Sequence, residues 1–159
     1  MTGTVMAGRT GASFAAELGT MQVNEEIDAL YTAGISPIEF LVLPRCLALT
    51  LLLPLLCLYG DLMGIIGGTL VGVFYLDLSL TEFITMMRST TGLTDFWVGE
   101  FTALVFGWLI SLCGCLRGMQ CGRSAEAVGQ AATSAVVSSL VCMIIATAII
   151  TVITVTLGI

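Results

Sequence analysis

The chain has 159 residues, of which 57% are hydrophobic and only 10% are charged. A typical soluble domain carries about 25% charged residues, so the composition argues against a soluble globular protein and indicates an integral membrane protein. The apolar runs are continuous rather than alternating, so the spans are predicted to be helices and not barrel strands.

The residue types that are missing narrow the functional classes. The formal net charge is -6, with five arginines, no lysine and no histidine. A nucleic-acid partner needs a basic stripe, a P-loop needs a lysine, and histidine is the commonest general base and metal ligand. We therefore expect no nucleic-acid partner, no cofactor, no metal site and no catalytic residue. The six cysteines are interpreted as packing residues in apolar helices.

Residues 1–19 are predicted to be the end of a transmembrane helix. Small residues recur at every fourth position on one face of it: Ala7, Gly11, Ala15 and Gly19. Such a face lets another helix approach closely. Arg9 lies in the same segment, and we expect it to pair with Glu17 two turns later or to meet a lipid phosphate.

Residues 20–36 are predicted to form an amphipathic helix of about three turns outside the membrane. Five of the eleven acids lie in or beside this segment: Glu17, Glu25, Glu26, Asp28 and Glu39. Apolar residues at helical spacing predict one apolar face: Val23, Ile27, Leu30 and Tyr31. We expect Asn24 to be the N-cap and Gly34 to end the helix. The pattern alone fits either a partner-binding helix or a solvated loop helix.

Residues 43–76 are predicted to form one long transmembrane helix that kinks at Pro54. The 31 residues from 46 to 76 would span about 46 Å as a straight helix, longer than a membrane core of about 30 Å. The alternative is a hairpin of two half-spans. A single span satisfies the positive-inside rule better, because it separates the arginines three to one: Arg45, Arg117 and Arg123 on one side, Arg88 on the other.

The rest of the chain is predicted to add two spans. Its segments are, in order, a periplasmic connection at 77–95, a transmembrane helix at 96–117, a cytoplasmic turn at 118–131 and a transmembrane helix at 132–157. Glycines at four-residue spacing predict helix packing, either within a protomer or at a dimer seam: Gly60, Gly64, Gly68 and Gly72, then Gly114 and Gly118. Asp61 and Glu100 are intramembrane acids, expected near the outer interface, with a proton relay as the alternative.

Three sequence blocks resemble the signature of the MlaE-type permease family: Ala7-Gly-Arg-Thr-Gly-Ala-Ser13, Glu17-Leu-Gly-Thr-Met21 and Glu25-Glu-Ile-Asp-Ala-Leu30. The similarity continues through Pro44-Arg45, Leu53-Pro-Leu55 and Gly67-Gly-Thr-Leu-Val-Gly72. Members of this family are the membrane subunits of ABC transporters that move lipids between envelope membranes. The chain resembles the carboxy-terminal part of a longer permease. This implies an all-α bundle of about three complete transmembrane helices plus the end of an earlier one.

The resemblance also implies partners and a site. It implies a homodimer in the bacterial inner membrane, a cytoplasmic ABC ATPase, an MCE-domain lipid carrier, and phospholipid or a related lipid as substrate. The short cytoplasmic helix would dock on the ATPase as a coupling helix, and the residues that match this motif are Glu17, Gly19, Met21, Glu25, Glu26 and Asp28. Two other functions stay open: an ion-coupled secondary transporter using Asp61 and Glu100, and a non-transporting scaffold for MCE-type proteins.

Overall fold

A computed structural model describes residues 1–75 and 79–157 of the protein. Within these ranges the chain is helical and contains no strand. Among the described residues, three helices are long and apolar enough to cross a membrane: Ile38–Phe74, Thr94–Met119 and Ala125–Leu157. The prediction of an all-α membrane protein is therefore confirmed. Asp77 and the last residue of the predicted span 43–76 lie outside the described residues.

The described chain forms six helices in sequence. They are α1 over residues 2–23 (Thr2–Met6, a π-helical turn at Ala7–Gly11, and Ala12–Val23), α2 at Glu26–Thr32, α3 over residues 38–75 (a π-helical turn at Ile38–Val42, then Leu43–Tyr75), α4 at Leu80–Thr90, α5 at Leu93–Met119 and α6 at Ala125–Leu157. Leu43–Tyr75 is a single helix that contains Pro54, so the hairpin alternative is not what the structure has.

Several helix boundaries differ from those expected from the sequence. Residues 20–23 belong to α1, so α2 is shorter than expected, with seven residues or about two turns. α6 begins at Ala125 rather than near residue 132, which reduces the turn before it to residues 120–124. The hydroxyl of Ser124 explains the early start, because its Oγ accepts a hydrogen bond from the Ala127 backbone N–H at 3.2 Å and thereby caps the helix.

α5 is the central helix of the bundle and packs against α1, α3 and α6. The core is built from apolar side chains on all four helices: Ala7, Leu49, Leu53, Ala103, Ile110 and Met143. All four small residues of the predicted α1 face are buried. All six cysteines are free thiols on or beside these helices. The small residues of α1 therefore lie on the side of the helix that packs in the bundle, as their spacing predicts.

The helices run antiparallel, which defines two ends of the bundle. Gly60 of α3 lies beside Thr2 of α1, whereas Arg45 at the start of α3 lies beside Phe14 farther along α1. The charged end is therefore the end where α1 stops, α3 starts and the α5–α6 turn lies. α4 lies at the opposite end, where Ser79 caps it by accepting a hydrogen bond from the Glu82 backbone N–H.

Candidate functional site

α2 begins at a residue with an uncommon backbone conformation at the charged end. Glu25 has φ 60°, in the left-handed region, and none of its side-chain atoms caps the helix. The prediction that Asn24 is the N-cap is wrong, because its backbone still completes α1. The Asn24 N–H donates to the Thr20 carbonyl at 3.0 Å. The Asn24 side chain instead donates to Glu26 Oε1 at 3.3 Å. α2 is thus separated from α1 by a sharp local turn.

The other end of α2 is closed by Gly34, which has φ 74°. The Ile35 N–H donates to the Leu30 carbonyl and the Gly34 N–H to the Tyr31 carbonyl, both at 3.1 Å. These two bonds form a Schellman motif, which satisfies carbonyls at the end of the helix. Ile27 is buried, whereas Tyr31 is exposed. The predicted apolar face is therefore only partly turned toward the bundle.

Asp28 of α2 forms an ion pair with Arg123 of the α5–α6 turn. Arg123 Nη2 lies 2.6 Å from Asp28 Oδ2, and its Nη1 lies 3.7 Å from Glu25 Oε1. The three side chains are about half or more exposed to solvent. Two of the predicted coupling carboxylates are thus engaged with a cation of the same chain.

Glu17 of α1 pairs with Arg45 of α3 at 2.7 Å. The pairing of Glu17 with Arg9 expected from the sequence is wrong, since Arg45 is the partner. The Arg45 side chain is only 17% exposed, and its guanidinium lies over the Phe14 ring at 5.7 Å. Stacking on the ring holds the guanidinium in place, and the ion pair joins the end of α1 to the start of α3.

The other predicted coupling residues have different surroundings. Gly19 is buried, and a Cβ there would lie 3.2 Å from the Cys121 Sγ. Met21 is half-buried and Glu26 is exposed. Within the described residues, Glu26 takes part in no ion pair and has Asn24 as its side-chain partner. Glu26 is therefore the carboxylate of α2 that is most available to another molecule.

The two sets of predicted glycines have different neighbours. A Cβ on Gly114 or Gly118 would meet the backbone of α1 at 2.9 and 3.0 Å, so these glycines contact another helix of the same protomer. On α3, a Cβ on Gly72 would lie 3.2 Å from Phe83 of α4, and Gly68 also faces that ring. Gly60 lies beside Thr2, while Gly64 has nothing within 4 Å in the described chain.

Asp61 and Glu100 lie far from the charged end. Asp61 is 16 residues beyond Arg45 on α3, about 24 Å along the axis, and Glu100 is 17 residues before Arg117 on α5, about 26 Å. Asp61 is exposed and Glu100 is half-buried. Neither belongs to any ion pair or side-chain hydrogen bond between residues that the structure describes. The structure does not bring them together with the coupling residues.

Arg45 and Arg123 are functional candidates that the sequence did not single out. The positive-inside rule places both on one side of the membrane but gives neither a partner. The acidic segment could have indicated these ion pairs. Five acids and two arginines lie at one membrane surface, and opposite charges placed side by side favour pairing.

Apolar grooves run along the bundle between neighbouring helices. One, of about 550 Å³, lies between α1 and α3 and is lined by residues such as Met6, Phe14, Leu49 and Leu53. A second, of about 320 Å³, lies between α5 and α6 near Trp97, Phe101 and Ile150. Apolar walls with few polar groups suit hydrophobic ligands.

Several known proteins similar to this chain are named as probable ABC transporter permeases. The family model described as Permease MlaE matches residues 1–153. A probable ABC transporter permease protein of Rickettsia typhi is 43% identical over 151 residues, which are 95% of this chain and 58% of the relative. One from Synechocystis is 39% identical over 145 residues, 91% of this chain and 55% of the relative.

A plant protein is also similar. Protein TRIGALACTOSYLDIACYLGLYCEROL 1, chloroplastic, from Arabidopsis thaliana is 38% identical over 146 residues, which are 92% of this chain and 42% of the relative. The chain thus spans somewhat more than half the length of the Rickettsia and Synechocystis relatives, and less than half of the plant protein.

Proposed function

Because the chain belongs to the MlaE permease family, we propose that it acts in the permease subunit of an ABC transporter that moves phospholipid or a related lipid. Relatives from Rickettsia and Synechocystis are named as probable ABC transporter permeases, and the plant relative is named after a lipid. ATP is hydrolysed in a separate cytoplasmic ATPase subunit. The chain itself contributes membrane helices and no catalytic group.

The observation that carries this proposal is the short acidic helix α2 at the charged end. α2 is closed by Gly34 and is fixed to the bundle through Ile27 and Asp28. Glu26 is exposed and takes part in no ion pair among the described residues. A helix anchored in this way can be displaced by a partner protein and can transmit the displacement to the bundle. The charged end would face the cytoplasm, because it holds three of the five arginines. α2 is then the coupling helix of the transporter.

The membrane body supports a lipid as the transported molecule. The grooves beside α1 and α6 have apolar walls, and much of the surface of the spanning helices is exposed apolar side chain. A path of this kind suits acyl chains better than ions. We propose that the full-length permease forms a homodimer in the bacterial inner membrane and exchanges lipid with an MCE-domain carrier.

Charge reversal at Glu26 tests the proposal. The full-length permease carrying Glu26→Lys is co-purified with its neighbours and reconstituted in phospholipid vesicles with a fluorescent phospholipid. We expect the variant to lose most of the bound ATPase and most ATP-dependent lipid movement, because a lysine replaces the exposed carboxylate of α2 that forms no ion pair with a described residue. The matched control is Glu82→Lys, the same change on exposed α4 at the opposite end, which keeps both. Retention of ATPase and lipid movement by Glu26→Lys contradicts the proposal.

The same assay separates the other two functional classes. An ion-coupled transporter would lose transport when Asp61→Asn and Glu100→Gln are combined, whereas an ATP-driven permease keeps it. If the protein is a non-transporting scaffold, the wild-type protein still co-purifies with its partners. It then moves no lipid when ATP is added.

A further inference from the structure

Arg123 is the charged link between α2 and the turn that joins α5 to α6. It pairs with Asp28, 95 residues away in the sequence, and approaches Glu25. Because the connection comprises only residues 120–124, a force on Arg123 acts on the end of α5 and the start of α6 together. No other ion pair in residues 1–75 and 79–157 joins α2 to a later helix.

The remaining contacts of α2 are made mainly with α1. Ile27 is its buried side chain, and the chain leaves α2 through Gly34, whose left-handed backbone ends the helix. Without Arg123, a displacement of α2 would reach α5 and α6 indirectly, through α1 or α3. The Arg123 ion pairs therefore supply the direct connection from α2 to α5 and α6.

We propose that Arg123 is a positioning residue that transmits displacement of α2 to α5 and α6, and this inference rests on the proposed function. Asp28 and Glu25 then face their own chain, and Glu26 is the carboxylate left for the ATPase. Exposed ion pairs are weak on their own. A partner that covers α2 would exclude water around Arg123 and lower the effective dielectric constant, which strengthens the pairs. The Coulomb attraction within the pairs is therefore strongest when the ATPase is docked.

A charge-swap experiment on the reconstituted full-length transporter tests the inference. The measured quantities are the ATPase retained on co-purification and the fluorescent phospholipid moved per ATP hydrolysed. We expect Arg123→Glu to retain the ATPase and its hydrolysis while lipid moved per ATP falls about fivefold or more, the scale of a coupling free energy between sites. The double variant Asp28→Arg with Arg123→Glu restores most of this ratio, because the ion pair is rebuilt with reversed charges.

The control is Arg88→Glu, which makes the same charge change on exposed α4 and leaves the ratio unchanged. An unchanged ratio in Arg123→Glu, or a double variant no better than the single one, overturns the inference. Loss of the ATPase from Arg123→Glu also overturns it, because Arg123 would then serve docking. Failure of the proposed function gives a different result, because the wild-type transporter itself then retains no ATPase or moves no lipid. In that case the inference fails as well.

Discussion

Gly118 sets how closely α5 approaches α1. A Cβ at this position would lie 2.7 Å from the Leu18 Cβ, 3.0 Å from the Ala15 carbonyl oxygen and 3.1 Å from the Ala15 Cα. Two of these three atoms belong to the backbone, so no side-chain rotation relieves the clash. The absence of a side chain here is a packing requirement rather than a consequence of backbone conformation.

Gly118→Ala is therefore predicted to lower the free energy of unfolding by about 1–3 kcal/mol, the usual cost of overpacking. The measurement is SDS-induced unfolding in mixed micelles. Gly64→Ala is the matched control, because a Cβ there has no neighbour within 4 Å among the residues that the structure describes, and alanine favours a helix over glycine. Equal unfolding midpoints for the two variants would contradict this account of α1–α5 packing.

The sequence predicted the small residues of α1 but not the ion pairs. Spacing of four residues is a property of one helix and can be read locally, whereas the Arg45–Glu17 pair joins residues 28 apart and the Arg123–Asp28 pair residues 95 apart. Arg9 was matched with Glu17 because both lie on α1. The true partner depends on how α3 crosses α1, which a one-dimensional pattern does not contain.

At the scale of helices, α4 is held against α3 by the aromatic ring of Phe83, which packs on two glycines. Phe83 packs over Gly68 and Gly72 of α3, and a Cβ on Gly72 would come within 3.2 Å of the Phe83 ring. Two of the four glycines predicted to contact a neighbouring helix thus accept an aromatic side chain from a short amphipathic helix. These glycines fix where α4 lies against the end of α3.

Gly72→Leu is predicted to displace α4 and expose it to protease. Trypsin should cleave after Arg88 several times faster in this variant, because cleavage of a helix follows the population in which it is open. Gly67→Leu is the control, since a Cβ at Gly67 has no neighbour within 4 Å in the described part of the chain. Equal cleavage rates in the two variants would show that the Phe83 contact does not hold α4.

The existence of the long helices could be predicted from continuous apolar sequence, but their ends could not. Residues 125–131 of α6 contain small and polar residues that are compatible with a turn, yet the Ser124 cap makes them helical. Similarly, residues 20–23 continue α1 until Glu25 adopts a left-handed backbone. Helix ends depend on capping geometry, which composition predicts poorly.

At the scale of the whole molecule, the two ends of the bundle carry different chemistry. The charged end contains α2 and the ion pairs to Arg45 and Arg123. The opposite end contains α4 and the acids Asp61 and Glu100, which lie about 24–26 Å away along their helices. Under the proposed function, energy input enters at the charged end and the apolar grooves between the helices hold the substrate.

Neutralising the two distant acids is predicted to leave ATP-driven transport largely intact. The double variant Asp61→Asn with Glu100→Gln should retain more than half of the wild-type rate of lipid movement in vesicles, since neither side chain takes part in an ion pair between described residues. A parallel assay with an imposed proton gradient and no ATP should show no movement. Gradient-driven movement that is lost in the double variant would favour the ion-coupled transporter.

The central claim is that α2 touches a soluble ATPase, and site-specific photo-crosslinking in cells tests it most directly. A photoreactive amino acid is placed at Glu26 of the full-length permease and, as the comparison, at the exposed Thr90 at the end of α4. We predict a cross-linked ATPase from position 26 and none from position 90. No ATPase adduct at position 26, or one formed only from position 90, would contradict the account.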